Sequence, residues 1–97
     1  MTRFTYQVTV RPKWADTRYN PARSFAHACD MREKAATYLI DAGFAVDATD
    51  LGPATDEPMG FQITCPREAA QMLRNMPGIA SVIRLQQQET VDNDPPR

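Results

Sequence analysis

The chain is poor in the groups on which most enzyme and metal chemistry rests. Its 97 residues include one histidine, two cysteines and four glycines. Cys29 and Cys65 lack CxxC spacing and are too few for a disulfide framework. A four-ligand zinc site would need both of them together with His27 and a carboxylate, and both cysteines read more simply as small buried hydrophobes. His27 stands between Ala26 and Ala28 in a stretch of helical character. A Cys–His or Ser–His pair would depend on that one imidazole, which reads as an ordinary helical histidine. Gly43, Gly52, Gly60 and Gly78 are scattered at element ends, whereas a phosphate cradle needs glycines clustered ahead of a helix. No catalytic residue, metal site or cofactor is expected, and the chain reads as a non-enzyme.

A surplus of one charge is lacking too. Eleven Lys and Arg against twelve Asp and Glu leave a formal charge of −1. A general polyanion binder relies on a marked basic surplus, so direct nucleic-acid binding is disfavoured. No apolar run approaches the roughly 20 residues of a transmembrane helix. Met1-Thr2-Arg3-Phe4 opens no signal peptide, and the expected compartment is the cytoplasm. What is present, 42% hydrophobic and 24% charged residues, suits one globular domain.

Phe4 to Val10 alternates apolar and polar without a break, the pattern of a strand with one buried face, ended by Arg11-Pro12. Phe4, Tyr6, Val8 and Val10 should face a core. Asn20-Pro21 is a plausible helix start, and Asp30-Met31-Arg32-Glu33 is a second. The spacing predicts a helix over 31–42, with Met31, Ala35, Tyr38, Leu39 and Ala42 on one face and Gly43 after it. Whether 21–29 continues that helix or forms a separate turn stays open. Phe44 to Thr49 alternates again, Leu51 to Pro58 reads as turn chemistry, and Gly60 to Cys65 resumes strand with Phe61, Ile63 and Cys65 inward. Pro66 opens a second helix over 67–76 with Ala69 or Ala70, Leu73 and Met76 as its apolar stripe. Pro77-Gly78 stops it, and Ile79 to Gln86 is the last strand. Residues 87–97, with Glu89, Asp92, Asp94 and Pro95-Pro96, form a polar tail expected to be flexible.

The order strand, helix, strand, strand, helix, strand predicts an α+β domain over 1–86. Right-handed crossovers interlock its two halves as a ferredoxin-like βαββαβ fold, a four-stranded antiparallel sheet with both helices on one face. The other face is then open. Its expected residues are Thr5, Gln7, Thr9, Ala45, Asp47, Gln62 and Thr64, with Val82 and Arg84. An RNA-recognition sheet needs exposed aromatics to stack bases, but Phe4, Tyr6, Phe44 and Phe61 all fall on the inward register. A threonine- and glutamine-rich face of low charge suits docking on a protein, and equally a plain solvated surface.

The stretch Gly60-Phe61-Gln62-Ile63-Thr64-Cys65-Pro66, followed by Arg67-Glu68-Ala69-Ala70, Leu73, Pro77-Gly78-Ile79 and Val82, resembles the second half of subtilisin propeptides and the related free-standing proteinase inhibitors. The match covers residues 60–82. It implies the same fold and a protein-binding module that acts as a proteinase inhibitor or folding chaperone. It also implies docking through the sheet face, with the C-terminal segment entering the proteinase cleft as a product-like strand. Carried onto this chain, the contacts would be Thr5, Gln7, Gln62, Thr64 and Arg84, with the inserting segment, Leu85, Gln86 and Gln87 included, drawn from Leu85 to Val91. The polar tail and the long Lys13 to Cys29 connection depart from that pattern. Plant organellar RNA-editing cofactors share a similar Gly-Phe and Leu-Pro-Gly-Val pattern, so the motif marks a fold variant more than an activity.

A rival reading comes from uneven charge. Residues 1–34 carry seven basic and three acidic groups, a net +4, and residues 35–97 carry four and nine, a net −5. Arg11, Lys13, Trp14, Arg18 and Tyr19 interleave cations with aromatics, a composition suited to hot-spot contacts. It would serve a small stand-alone inhibitor or adaptor of a nucleoprotein machine, of the phage anti-defence or anti-CRISPR type, with Asp47, Asp50, Asp56 and Glu57 competing for the machine's DNA-binding surface. Alternatively, Trp14 and Tyr19 fold back over the helices while the cations stay wet. A small-molecule-sensing domain would want glycine at the first strand–helix junction, where Arg11-Pro12-Lys13 stands. A monomer or weak homodimer is expected.

Overall fold

Strand β1, Phe4–Val10, follows its alternation: Tyr6, Val8 and Val10 are buried, and Thr5, Gln7 and Thr9 lie on the other side. The computed structural model describes residues 2–15, 18–45 and 49–85. The Gln86 end of the last expected strand, the polar tail 87–97 and the expected face residue Asp47 lie outside them.

One helix, α1, runs from Pro21 to Asp41, so 21–29 continues it. Asn20 is extended, and its side-chain oxygen accepts the Arg23 N–H at 3.0 Å. Pro21 costs nothing at the first helical position, where an N–H has no helical partner. Asp30 is therefore mid-helix rather than a cap, and it pairs with Lys34 at 3.2 Å. Met31, Ala35 and Leu39 are buried as expected, with Tyr38 packed at their edge. Ala42 is exposed instead: it is the C-cap residue, its N–H returning to the last carbonyls ahead of the left-handed Gly43.

Strand β2 is Asp50–Asp56, the stretch expected to be a turn. Phe44 and Ala45, expected to open a strand, lie outside any strand, although Phe44 still packs on the core. Gly52 and Pro53 misled because they sit where the pairing with β3 shifts, between Leu51 and Ala54. A bulge on an edge strand demands no ladder hydrogen bond from them. Strand β3, Met59–Cys65, buries Phe61, Ile63 and Cys65. Gly60 lies so close to β1 that a side chain there would overlap the Val8 carbonyl.

Helix α2, Arg67–Arg74, follows Pro66 and buries Ala69, Ala70 and Leu73; Met76 is buried just beyond its end. The left-handed Gly78 (φ +91°) then turns the chain into β4, Ile79–Arg84. The sheet is antiparallel in the order β2-β3-β1-β4. Two helices and this sheet make the α+β ferredoxin-like fold expected from the element order. Its core joins Tyr6, Val8, Phe61 and Ile63 to Met31, Ala35, Leu39 and Leu73. Cys65 is part of that core, whereas Cys29 is only half-buried. Among the described residues no helix is long and apolar enough to cross a membrane.

Candidate functional site

The sheet face away from the core is built by alternation. It carries Thr5, Gln7 and Thr9 from β1, Gln62 and Thr64 from β3, and Ser81 and Ile83 from β4. Thr5 pairs with Thr64 across the strands, and their hydroxyl oxygens lie 2.9 Å apart. Gln7 is opposite Gln62 on one side and Ile83 on the other. Its amide donates to the carbonyls of Val8 at 3.2 Å and Phe61 at 3.4 Å. That holds Gln7 down, while Gln62 is exposed and Ile83 is 59% exposed. A hollow of about 250 Å³ opens beside them, bounded by Gln7, Pro53, Thr55, Pro58 and Gln62. None of the face residues from β1, β3 and β4 is charged. Ala45, expected on this face, lies outside the strands.

Two expected members of the face are elsewhere. Val82 is 4% exposed and opposite the buried Val8, so it belongs to the core. Arg84 shares its side of β4, pairs with Tyr6, and lays its guanidinium 3.9 Å from the Phe4 ring centre. The cause is the irregularity at Thr9 and Val10: Thr9 opposes Ser81 but Val10 opposes Ile79, leaving Ala80 as the extra residue. One extra residue reverses the alternation, so Ile79 and Val82 are both buried and Ile83 turns outward. Ile83 is the face residue the sequence missed. The run Val82-Ile83 shows two adjacent apolar residues without showing which one is outside. Leu85 keeps the pairing one residue past β4, its N–H donating to the Thr5 carbonyl at 2.9 Å. Gln86 and Gln87 lie outside the described residues.

The loop after β1 folds back on α1. Trp14 meets His27 edge to face, ring centres 5.5 Å apart, and the Arg23 guanidinium lies 4.1 Å from the Trp14 ring centre. Buried His27 places Nε2 2.9 Å from the Arg11 carbonyl. A carbonyl only accepts, so Nε2 carries the proton. Arg11 donates its own N–H to Gly78 at 2.8 Å and its side-chain Nε to Ile79 at 3.3 Å. Trp14 is therefore half-buried rather than presented, while Lys13 and Arg18 are exposed. Tyr19 is not folded over the helices: it is 59% exposed, and its hydroxyl donates to the Asp56 carboxylate. That bond, with some burial and the nearby negative charges, pushes the Tyr19 pKa up to about 12. Of the acidic set expected to act with this loop, Asp56 is thus tied to Tyr19, Asp50 and Glu57 are exposed on and beyond the β2 edge, and Asp47 is outside the described residues.

Among the described residues no group of three or more His, Cys, Asp or Glu side chains is placed to hold a metal ion. The two cysteines are in different elements, Cys29 on α1 and Cys65 ending β3. Burial pushes the Cys65 thiol up to about 11. No protein-family model matches the chain, and comparisons with characterised proteins and with solved structures find no match either.

Proposed function

We propose that the chain is a cytoplasmic, non-enzymatic binding module that docks on a subtilisin-like proteinase, as an inhibitor or folding chaperone. The observation that carries this reading is the uncharged row Ile83–Gln7–Gln62 across three strands of the open face. An exposed isoleucine flanked by amides can lose its water at modest cost and still satisfy polar partners, which is the make-up of an interface centre. Thr5 and Thr64 extend the row, and Leu85 leads from the same face into the C-terminal segment. The choice of a proteinase rests on the likeness of residues 60–82 to the propeptides.

The test is inhibition of a purified subtilisin-like proteinase by the intact chain, by a chain lacking 87–97, and by the Gln62→Arg and Ile83→Asp variants. The inhibition constant should rise at least about tenfold in each altered chain, the equivalent of roughly 1.4 kcal/mol of contact. An intact chain that neither inhibits nor forms a complex would sink the proposal.

The adaptor of a nucleoprotein machine is a second reading, favoured by Tyr19, exposed next to exposed Arg18 in the chain, and by the exposure of Lys13 in the same loop. Tyr19→Ala with Arg18→Ala should abolish that activity and leave proteinase inhibition intact, whereas Trp14, packed on His27, is left in place.

A further inference from the structure

The hollow on the open sheet face has walls of two kinds. Pro53, Thr55 and Pro58, from β2 and the turn after it, line one side, and Gln7 and Gln62, from β1 and β3, line the other. It forms where β2 is irregular, with Gly52 and Pro53 together standing opposite Gln62. At about 250 Å³ it is smaller than the roughly 300–1,000 Å³ of a pocket for a drug-sized ligand, and it has room for one side chain.

Its hydrogen-bonding capacity is lopsided. The two N–H groups of Gln7 go to the carbonyls of Val8 and Phe61, so this amide has only its oxygen left to offer. The Thr55 hydroxyl donates to the Pro58 carbonyl at 2.6 Å and keeps only lone pairs. Exposed Gln62 brings both a carbonyl and N–H groups. No side chain lining the hollow is charged, and exposed Glu57 is next to Pro58 in the chain.

These walls discriminate among occupants. A carboxylate would face Glu57 and a row of lone pairs. An ammonium would exchange its water for a few neutral oxygens. A purely apolar side chain would cover the Gln7 oxygen without bonding it. A phenol meets every condition, since its ring can lie against the prolines while its hydroxyl donates to Gln7 and accepts from Gln62.

We propose that the hollow seats a tyrosine side chain of the protein that docks on this face. It shares Gln7 and Gln62 with the uncharged row that includes Ile83, and tyrosine is enriched at the energetic centres of interfaces. This inference rests on the reading of the open face as an interface, and not on the partner being a proteinase.

The probes are N-acetyltyrosinamide, N-acetylphenylalaninamide and N-acetyllysinamide, titrated into the isotope-labelled full chain and followed by two-dimensional NMR. The tyrosine probe should shift the side-chain amide signals of Gln7 and Gln62 and the backbone signal of Thr55, saturating at millimolar concentration. The phenylalanine probe should bind at least about fivefold more weakly, the worth of one hydrogen bond, and the lysine probe should not saturate. Gln7→Met, which removes the amide oxygen, should bring the two aromatic probes to equal affinity. Gln62→Ala, at an exposed position, should weaken the tyrosine probe. The proposal is overturned by the absence of saturable shifts, by shifts that bypass Gln7 and Gln62, or by a phenylalanine or lysine probe that binds as tightly as tyrosine. So is it by a tyrosine affinity indifferent to both substitutions. Should Gln7→Met fail to fold, Gln62→Ala and the comparison of probes decide. Proteinase inhibition without tyrosine binding would overturn this inference alone, whereas tyrosine binding by a chain that inhibits no proteinase would overturn only the proteinase reading.

Discussion

Arg74 on α2 donates from its guanidinium to the main-chain carbonyl of Val82 at 2.8 Å. The N–H of Leu85 bonds to β1, so by alternation the backbone groups of Val82 point to the free edge of the sheet. Arg74 therefore closes an acceptor that another strand could otherwise use. Arg32 occupies the Leu51 and Gly52 carbonyls on β2, the opposite edge. Each edge strand has a helix arginine on its main chain, a way of blunting edges that invite pairing.

Arg74→Met should cost about 1 kcal/mol of stability, the worth of one partly solvated hydrogen bond. It should also raise concentration-dependent light scattering on warming, because β4 becomes open to strand addition. Unchanged scattering at matched stability would show that Arg74 guards nothing.

Gly60 and Gly43 separate two reasons for glycine. A Cβ at Gly60 would overlap the backbone oxygen of Val8, which cannot move without breaking β1–β3 pairing. Gly60→Ala should lose roughly 3 kcal/mol or more in urea unfolding. Gly43 has φ +101° with open space around it, so Gly43→Ala should cost only about 1 kcal/mol of backbone strain. Equal losses would contradict the packing account.

Tyr19 should titrate late. The unfolded chain releases this proton near the ordinary tyrosine value of 10, whereas the native chain holds it to about 12 because the hydroxyl donates to Asp56. The stabilisation from this bond is present below pH 10 and is lost as pH rises through 12. Asp56→Asn should bring the Tyr19 transition down in an ultraviolet phenol titration. An unmoved transition would remove Asp56 as the cause.

The two thiols should react in order of exposure. Half-buried Cys29 should be alkylated in the native chain, and Cys65, fully buried and pushed up to about 11, only after unfolding. Mass spectrometry of the native protein treated with iodoacetamide should find one modified site. Modification at Cys65 at the same rate would mean that β3 opens readily.

The sequence alone determined the parts of this protein that follow from local periodicity. Period-two alternation placed β1 and the buried side of β3, and Gly43 marked the end of α1, whereas the choice between its two starts, Asn20-Pro21 and Asp30, waited on the structure. The order of elements then led to the sheet, since handedness leaves few ways to connect it. Tertiary structure alone decided what depends on pairing between distant strands. Leu51-Gly-Pro is a strand because β3 lies beside it and its bulge asks nothing of Pro53. Ile83 faces out and Val82 in because one extra residue opposite Thr9 and Val10 reverses the register. Trp14 rests against His27 because the chain returns over α1, a contact with no local signature. Each of these depends on where a partner strand or helix comes to lie, information that a residue's own neighbours in the chain do not carry.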